Sequence, residues 1–115
     1  MLKRQCVGYA RYSVDVPDML REQIAILETR AKELDLELLG VFSEISSDTN
    51  PPQERPELAK ALEMINTHHA DYLLVTNLNR ITRSELAALY FEAVALKPIG
   101  ASLLVCNEAT FDFKV

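Results

Sequence analysis

The chain has 115 residues, enough for one domain with a buried core. Its 49% hydrophobic and 25% charged residues, with three Gly and five Pro, are those of a globular protein rather than a disordered or fibrous one. A net charge of -5, from 12 Lys and Arg against 17 Asp and Glu, argues against a domain that grips nucleic acid unaided, since such domains are usually basic.

Residues 5–12 are one apolar run and read as a first strand. Within "VGYARYSVDV" (7–16), Arg11 and Ser13 stand one residue apart, so an extended chain would turn both to one side. Pro17-Asp18 then opens a helix, with Leu20, Ile24, Leu27, Ala31 and Leu34 recurring at steps of four and three on its inner face. "LELLGVFSE" (36–44) is a second strand, and "ISSDTNPPQERP" (45–56) has the Ser, Asn, Asp and Pro of a long loop. A second helix begins near Pro56, a residue favoured at the first helical position, and buries Leu58, Leu62 and Ile65. "DYLLVTNL" (71–78) is a third strand, apolar enough to be covered on both faces. Ser84 to Leu96 is a third helix with Leu86, Leu89, Ala93 and Leu96 inward, ended by Pro98 and Gly100. "ASLLVC" (101–106) is a fourth strand.

No stretch approaches the roughly 20 apolar residues of a membrane span, and the start lacks the apolar core of a signal peptide. The expectation is a cytoplasmic protein with no membrane partner. Cys6 and Cys106 both lie in apolar runs, which predicts buried, reduced thiols. His68-His69, at a helix end, predicts capping or exposure, and no Cys/His spacing resembles a metal site.

Strands alternating with helices predict an α/β fold. The expectation is a single domain whose mostly parallel sheet, of four strands or slightly more, carries helices on both faces. Ligands of such sheets bind beyond the carboxyl ends of the strands. After the first strand come Arg11 and Ser13, and after the second Glu44, Ser46, Ser47, Asp48 and Arg55. After the third come Asn77, Asn79, Arg80, Thr82 and Arg83, and after the fourth Asn107 and Glu108. Four arginines and several hydroxyls thus gather at one edge of an acidic protein.

Arginine's planar fork matches phosphate oxygens. A serine among arginines can hold a phosphate, or attack one while the cations stabilise the charge that develops. No Walker glycine loop, His-Asp pair for a triad or acidic cluster for two metals is present in the sequence, so no cofactor is expected. The plainer alternative is that the arginines merely flank strands, with Arg80 and Arg83 pairing with Glu85 or the C-terminal acids.

Five segments, in order, resemble the serine recombinases of the resolvase/invertase family: "YARYS" (9–13), "LREQ" (20–23), "ERPEL" (54–58), "LNRITRS" (78–84) and "CNEATFDF" (106–113). The resemblance implies a resolvase-like fold and an enzyme that cleaves and rejoins DNA at specific sites, without metal or ATP. Ser13 would be the nucleophile, forming a 5′-phosphoserine link. Arg11, Arg80 and Arg83 would surround the scissile phosphate, with Arg55 completing the cluster. Tyr9, Gln23, Glu44, Ser47 and Asn79 would support the site. The implied partners are DNA, met through the full-length protein, and further copies of the chain, as a homodimer that assembles to a tetramer on paired sites.

Three positions depart from the family pattern. Asn79 stands for an aspartate, Glu44 for a shorter acid, and Ser47-Asp48 for Ser-Gly. Asn79 and Asp48 motivate an alternative reading, a catalytically impaired domain serving as a protein-interaction or regulatory module. A third reading is a small phosphate-ester or nucleotide-binding α/β domain unrelated to recombination. On the resemblance, residues 1–115 form the catalytic domain, while the long dimerisation helix and the DNA-binding domain that follow it in the family are absent from this chain. The acidic balance then fits, because most of the grip on DNA would lie elsewhere.

Overall fold

A computed structural model of the protein describes residues 3–14, 16–47 and 50–106. Four strands alternate with helices: β1 (Gln5–Tyr12), α1 (Pro17–Glu33), β2 (Glu37–Ile45), α2 (Pro56–His68), β3 (Tyr72–Val75), α3 (Glu85–Phe91) and β4 (Ser102–Val105). Every strand pairing is parallel, in the order β2-β1-β3-β4. All carboxyl ends therefore meet at one edge, and β1 delivers Arg11 to the middle of it.

β1 alternates as a strand covered on both faces must. Val7 and Tyr9 pack with Leu58, Ile65, Phe91 and Leu96 beneath α2 and α3. Cys6 and Ala10 pack with Leu27, Ala31 and Leu36 beneath α1. Gly8 sits at a close approach: a Cβ there would lie 3.1 Å from Val41 Cγ2 and 3.3 Å from Leu27 Cδ1, so these side chains would have to shift by a few tenths of an ångström. The β1–β2 register also shifts between Cys6 and Gly8, adding a residue to β2.

Leu34, expected inward, is exposed, because α1 ends one residue before it. Asp35 takes a left-handed conformation with φ 58, and the Leu36 and Asp35 amides bond back to Ala31 and Lys32. The chain thus reverses, and Leu36 enters the core in place of Leu34. His69 ends α2 in the same left-handed way, and both histidines are exposed.

The third strand stops at Val75, short of the expected span to residue 78. Leu78–Arg80 coil into a 3-10 turn instead, pinned by the fully buried Ile81. That turn folds Arg80 back over the end of the sheet.

Leu96 is buried as expected, but the rest of the third helix turns a different face inward from the one its leucines predict. Ala88, Phe91 and Leu96 are buried, whereas Leu86 is 76% and Leu89 57% exposed, and Ala93 is exposed as well. Both faces of this helix are apolar, so spacing alone could not choose between them. After Phe91 the backbone widens to a π-helix over Glu92–Leu96, whose five-residue repeat brings Leu96 under the face of Phe91. A 3-10 turn, Lys97–Ile99, and Gly100 at φ 81 lead into β4. No helix among the described residues is long and apolar enough to cross a membrane.

Candidate active site at the carboxyl ends of the strands

Arg11 leaves β1 on the side of Tyr9 and is only 4% exposed. A buried cation needs partners for its donors, and Arg11 finds them on loops distant in sequence. Its Nε donates to the Arg80 carbonyl at 3.0 Å, one Nη to the Ser46 carbonyl at 2.6 Å and the other to the Asn79 carbonyl. Gln23 on α1 clamps the backbone of the same residue. Its Oε1 accepts from the Arg11 N–H at 3.1 Å and its Nε2 donates to the Arg11 carbonyl at 2.9 Å.

Arg80 completes the exchange. One of its Nη groups donates to the Arg11 carbonyl, and its Nε to Asn79 Oδ1 at 3.1 Å. Its guanidinium lies 6.0 Å from the centre of the Tyr12 ring. Burial lowers its pKa from the ordinary 12.5, and Tyr12 opposes that shift; the group stays charged. Arg55, at the start of α2, is 1% exposed. Its Nη1 donates to the Arg80 carbonyl at 2.9 Å, and its Nε and Nη2 both donate to the Asn50 carbonyl, at 3.1 and 2.8 Å. The Arg80 carbonyl oxygen therefore receives two guanidinium groups, and its own residue supplies a third to the cluster.

Ser13 lies just beyond the end of β1 and is exposed, two residues after the carbonyl that Arg80 and Gln23 hold. Arg83, three residues past Arg80, is exposed, as are Ser47 and Asn79. The fully buried Tyr9 phenol donates to Glu44 Oε2 at 2.5 Å, and Glu44 Oε1 accepts from the Glu57 N–H at 3.2 Å. Burial and then Glu44 raise the Tyr9 pKa, keeping the phenol a donor.

Arg11, Arg55 and Arg80, expected at one edge, do come together there, through shared carbonyls. The orientation of their donors was not legible in the sequence: Arg11 and Arg55 face inward onto backbone oxygens. The acceptors at Ser46, Asn50 and Arg80, and the Tyr12 ring beside Arg80, are additions that no side-chain motif announces. Asp48, Asn107 and Glu108 lie outside the described residues. Among the described residues, no group of three or more His, Cys, Asp or Glu is placed to hold a metal ion. An apolar groove of about 400 Å³ lies apart from Ser13, between α2 and α3, lined by Leu62, Tyr90, Phe91 and Val94 among others.

No curated protein sequence matches the chain significantly. Among solved structures, it is similar to the C-terminal catalytic domain of ISC1926 TnpA, an IS607-like serine recombinase. The TM-score is 0.76 at 27% identity, over 88% of this chain and 68% of that one. A serine recombinase from Sulfolobus solfataricus gives 0.69 at 28% identity, over 91% and 69%. The N-terminal catalytic domain of TP901-1 integrase shares the fold, with a TM-score of 0.75 at 22% identity over 91% and 78%. The family model for the resolvase N-terminal domain matches residues 6–114. The chain belongs to the resolvase N-terminal domain family of serine recombinases.

Proposed function

We propose that this domain cleaves and rejoins DNA strands as the catalytic domain of a site-specific recombinase. Ser13 Oγ attacks the phosphorus of a DNA phosphodiester. A bond forms between Oγ and phosphorus, the bond from phosphorus to the 3′ oxygen breaks, and the serine proton ends on the released 3′-hydroxyl. Rejoining is the same exchange in reverse, with a 3′-hydroxyl from the other duplex as the attacking group. Each step trades one phosphodiester for another, so no external energy source is needed.

The observation that carries this reading is an exposed serine directly after a strand end at which three arginines interlock. On this reading, Arg80 and the exposed Arg83 meet a phosphate beside Ser13, where they offset charge developing on its oxygens. Arg11 and Arg55 hold the Arg80 carbonyl from below. They reach the phosphate only by exchanging carbonyl acceptors for phosphate oxygens, which carry the opposite charge and can accept both arms of a guanidinium fork. Gln23 fixes the strand exit that leads to Ser13, and Asn79 orients Arg80. Tyr9, Glu44 and Ser47 complete the support. The partner is duplex DNA, and the working assembly is a tetramer formed from two dimers on paired sites.

The test is covalent capture. A form of the protein that binds its paired DNA sites is incubated with them and then denatured. A protein–DNA adduct should survive, and Ser13→Ala should abolish it. Binding without any adduct would favour the interaction-module reading, for which Asn79 and Asp48 are the motive.

A further inference from the structure

Helix α2 begins without a cap from its own sequence. Its first residue, Pro56, has no N–H, and the preceding Arg55 cannot cap the helix, because a guanidinium has no acceptor to offer a backbone N–H. The Glu57 amide would be an orphan donor at the helix start. Glu44, on the neighbouring strand β2, reaches across and accepts from it through Oε1 at 3.2 Å. The other carboxylate oxygen accepts from the fully buried Tyr9 phenol at 2.5 Å, the short length of a charge-assisted O–H bond. One side chain thus ties β1 and β2 to the first turn of α2. The residue immediately before that turn is Arg55.

We infer that Glu44 is a positioning residue for Arg55: it anchors the start of α2 to the sheet and so sets where the Arg55 guanidinium lies. The placement matters for catalysis on the proposed recombinase reading, but the geometry stands without it. The length of the side chain is part of the device. Glu44 is backbone-paired with Arg11 across β1 and β2, and it must satisfy Tyr9 and the Glu57 amide at once. An aspartate, one methylene shorter, has less reach for both contacts from the same backbone position. The acid that departs from the family pattern in length is here fitted to two partners.

The experiment reads Arg55 directly and needs no activity. In this chain, the Arg55 Nε–H, buried and bonded to the Asn50 carbonyl, should exchange slowly with solvent in side-chain NMR spectra. The Ala101 backbone N–H, buried and bonded to the Leu96 carbonyl at 3.0 Å beside the opposite edge strand β4, is an internal reference remote from Glu44. Glu44→Asp should speed Arg55 exchange by about tenfold, the equivalent of one net hydrogen bond, with Ala101 exchange unchanged. Glu44→Gln keeps the length and should keep most of the protection. Unchanged Arg55 exchange in Glu44→Asp, or equal acceleration at Arg55 and Ala101, would overturn the inference, since the latter reports general loosening. Failure here would leave covalent capture by Ser13 intact, and failure of that capture would leave this measurement intact.

Discussion

Arg55 and Arg83 carry the same charge, and the structure asks different things of them. Arg55 is buried and its planar fork serves two carbonyls from three donors, a geometry that a lysine ammonium cannot copy. Arg55→Lys should therefore cost about 2 kcal/mol of stability, read from the urea midpoint, by leaving buried carbonyl acceptors unsatisfied. Arg83 is exposed, so Arg83→Ala should shift stability by less than about 1 kcal/mol while cutting adduct formation sharply. Asn79 makes a further residue-level case. Its Oδ1 already accepts from Arg80 Nε at 3.1 Å, so the amide retains the acceptor of the missing aspartate and lacks only its charge. Asn79→Asp should strengthen that bond and raise adduct yield several-fold in a single-turnover assay. An unchanged yield would show that the charge at this position is dispensable.

At the scale of elements, the sequence was most informative where one pattern had one solution. β1 runs from Gln5 to Tyr12, as its apolar run indicates, and α2 begins at Pro56, because proline suits a first helical position. α3 was ambiguous because it is apolar on two sides. Burial went to Ala88 and Phe91 in place of Leu86, Leu89 and Ala93, while Leu96, inward as expected, follows Phe91 by five residues across the π-helix. The two faces predict opposite mutational costs. Phe91→Ala should destabilise by about 3–5 kcal/mol through lost packing, whereas Leu86→Gln should stay within about 0.5 kcal/mol. Thermal or urea unfolding of the two variants checks the assignment directly. The site was legible to the same degree and for the same reason. A parallel sheet forces its strand ends together, so the arginines could be gathered from order alone. Their donors could not be aimed, because the acceptors are carbonyls of loops some 35 to 69 residues away from Arg11.

For the whole molecule, buried acids link folding to pH. Burial, with a smaller contribution from Cys106, pushes the Cys6 thiol from the ordinary 9.0 up to about 11. Tyr9 is shifted in the same sense. A group whose folded pKa is raised adds stability in full below its unfolded pKa and loses it as pH climbs through the folded one. The melting temperature should therefore hold to about pH 9 and fall between 9 and 11, and Cys6→Ala should flatten that fall from a lower starting point. At neutral pH both described thiols remain protonated and buried, which leaves Ser13 as the nucleophile of this account. The most direct test of that assignment is to trap the protein on its paired DNA sites, digest it with nuclease and trypsin, and map the modified peptide by mass spectrometry. The account predicts a nucleotide phosphate on Ser13 within the tryptic peptide of residues 12–21. An adduct carried by any other residue would contradict it.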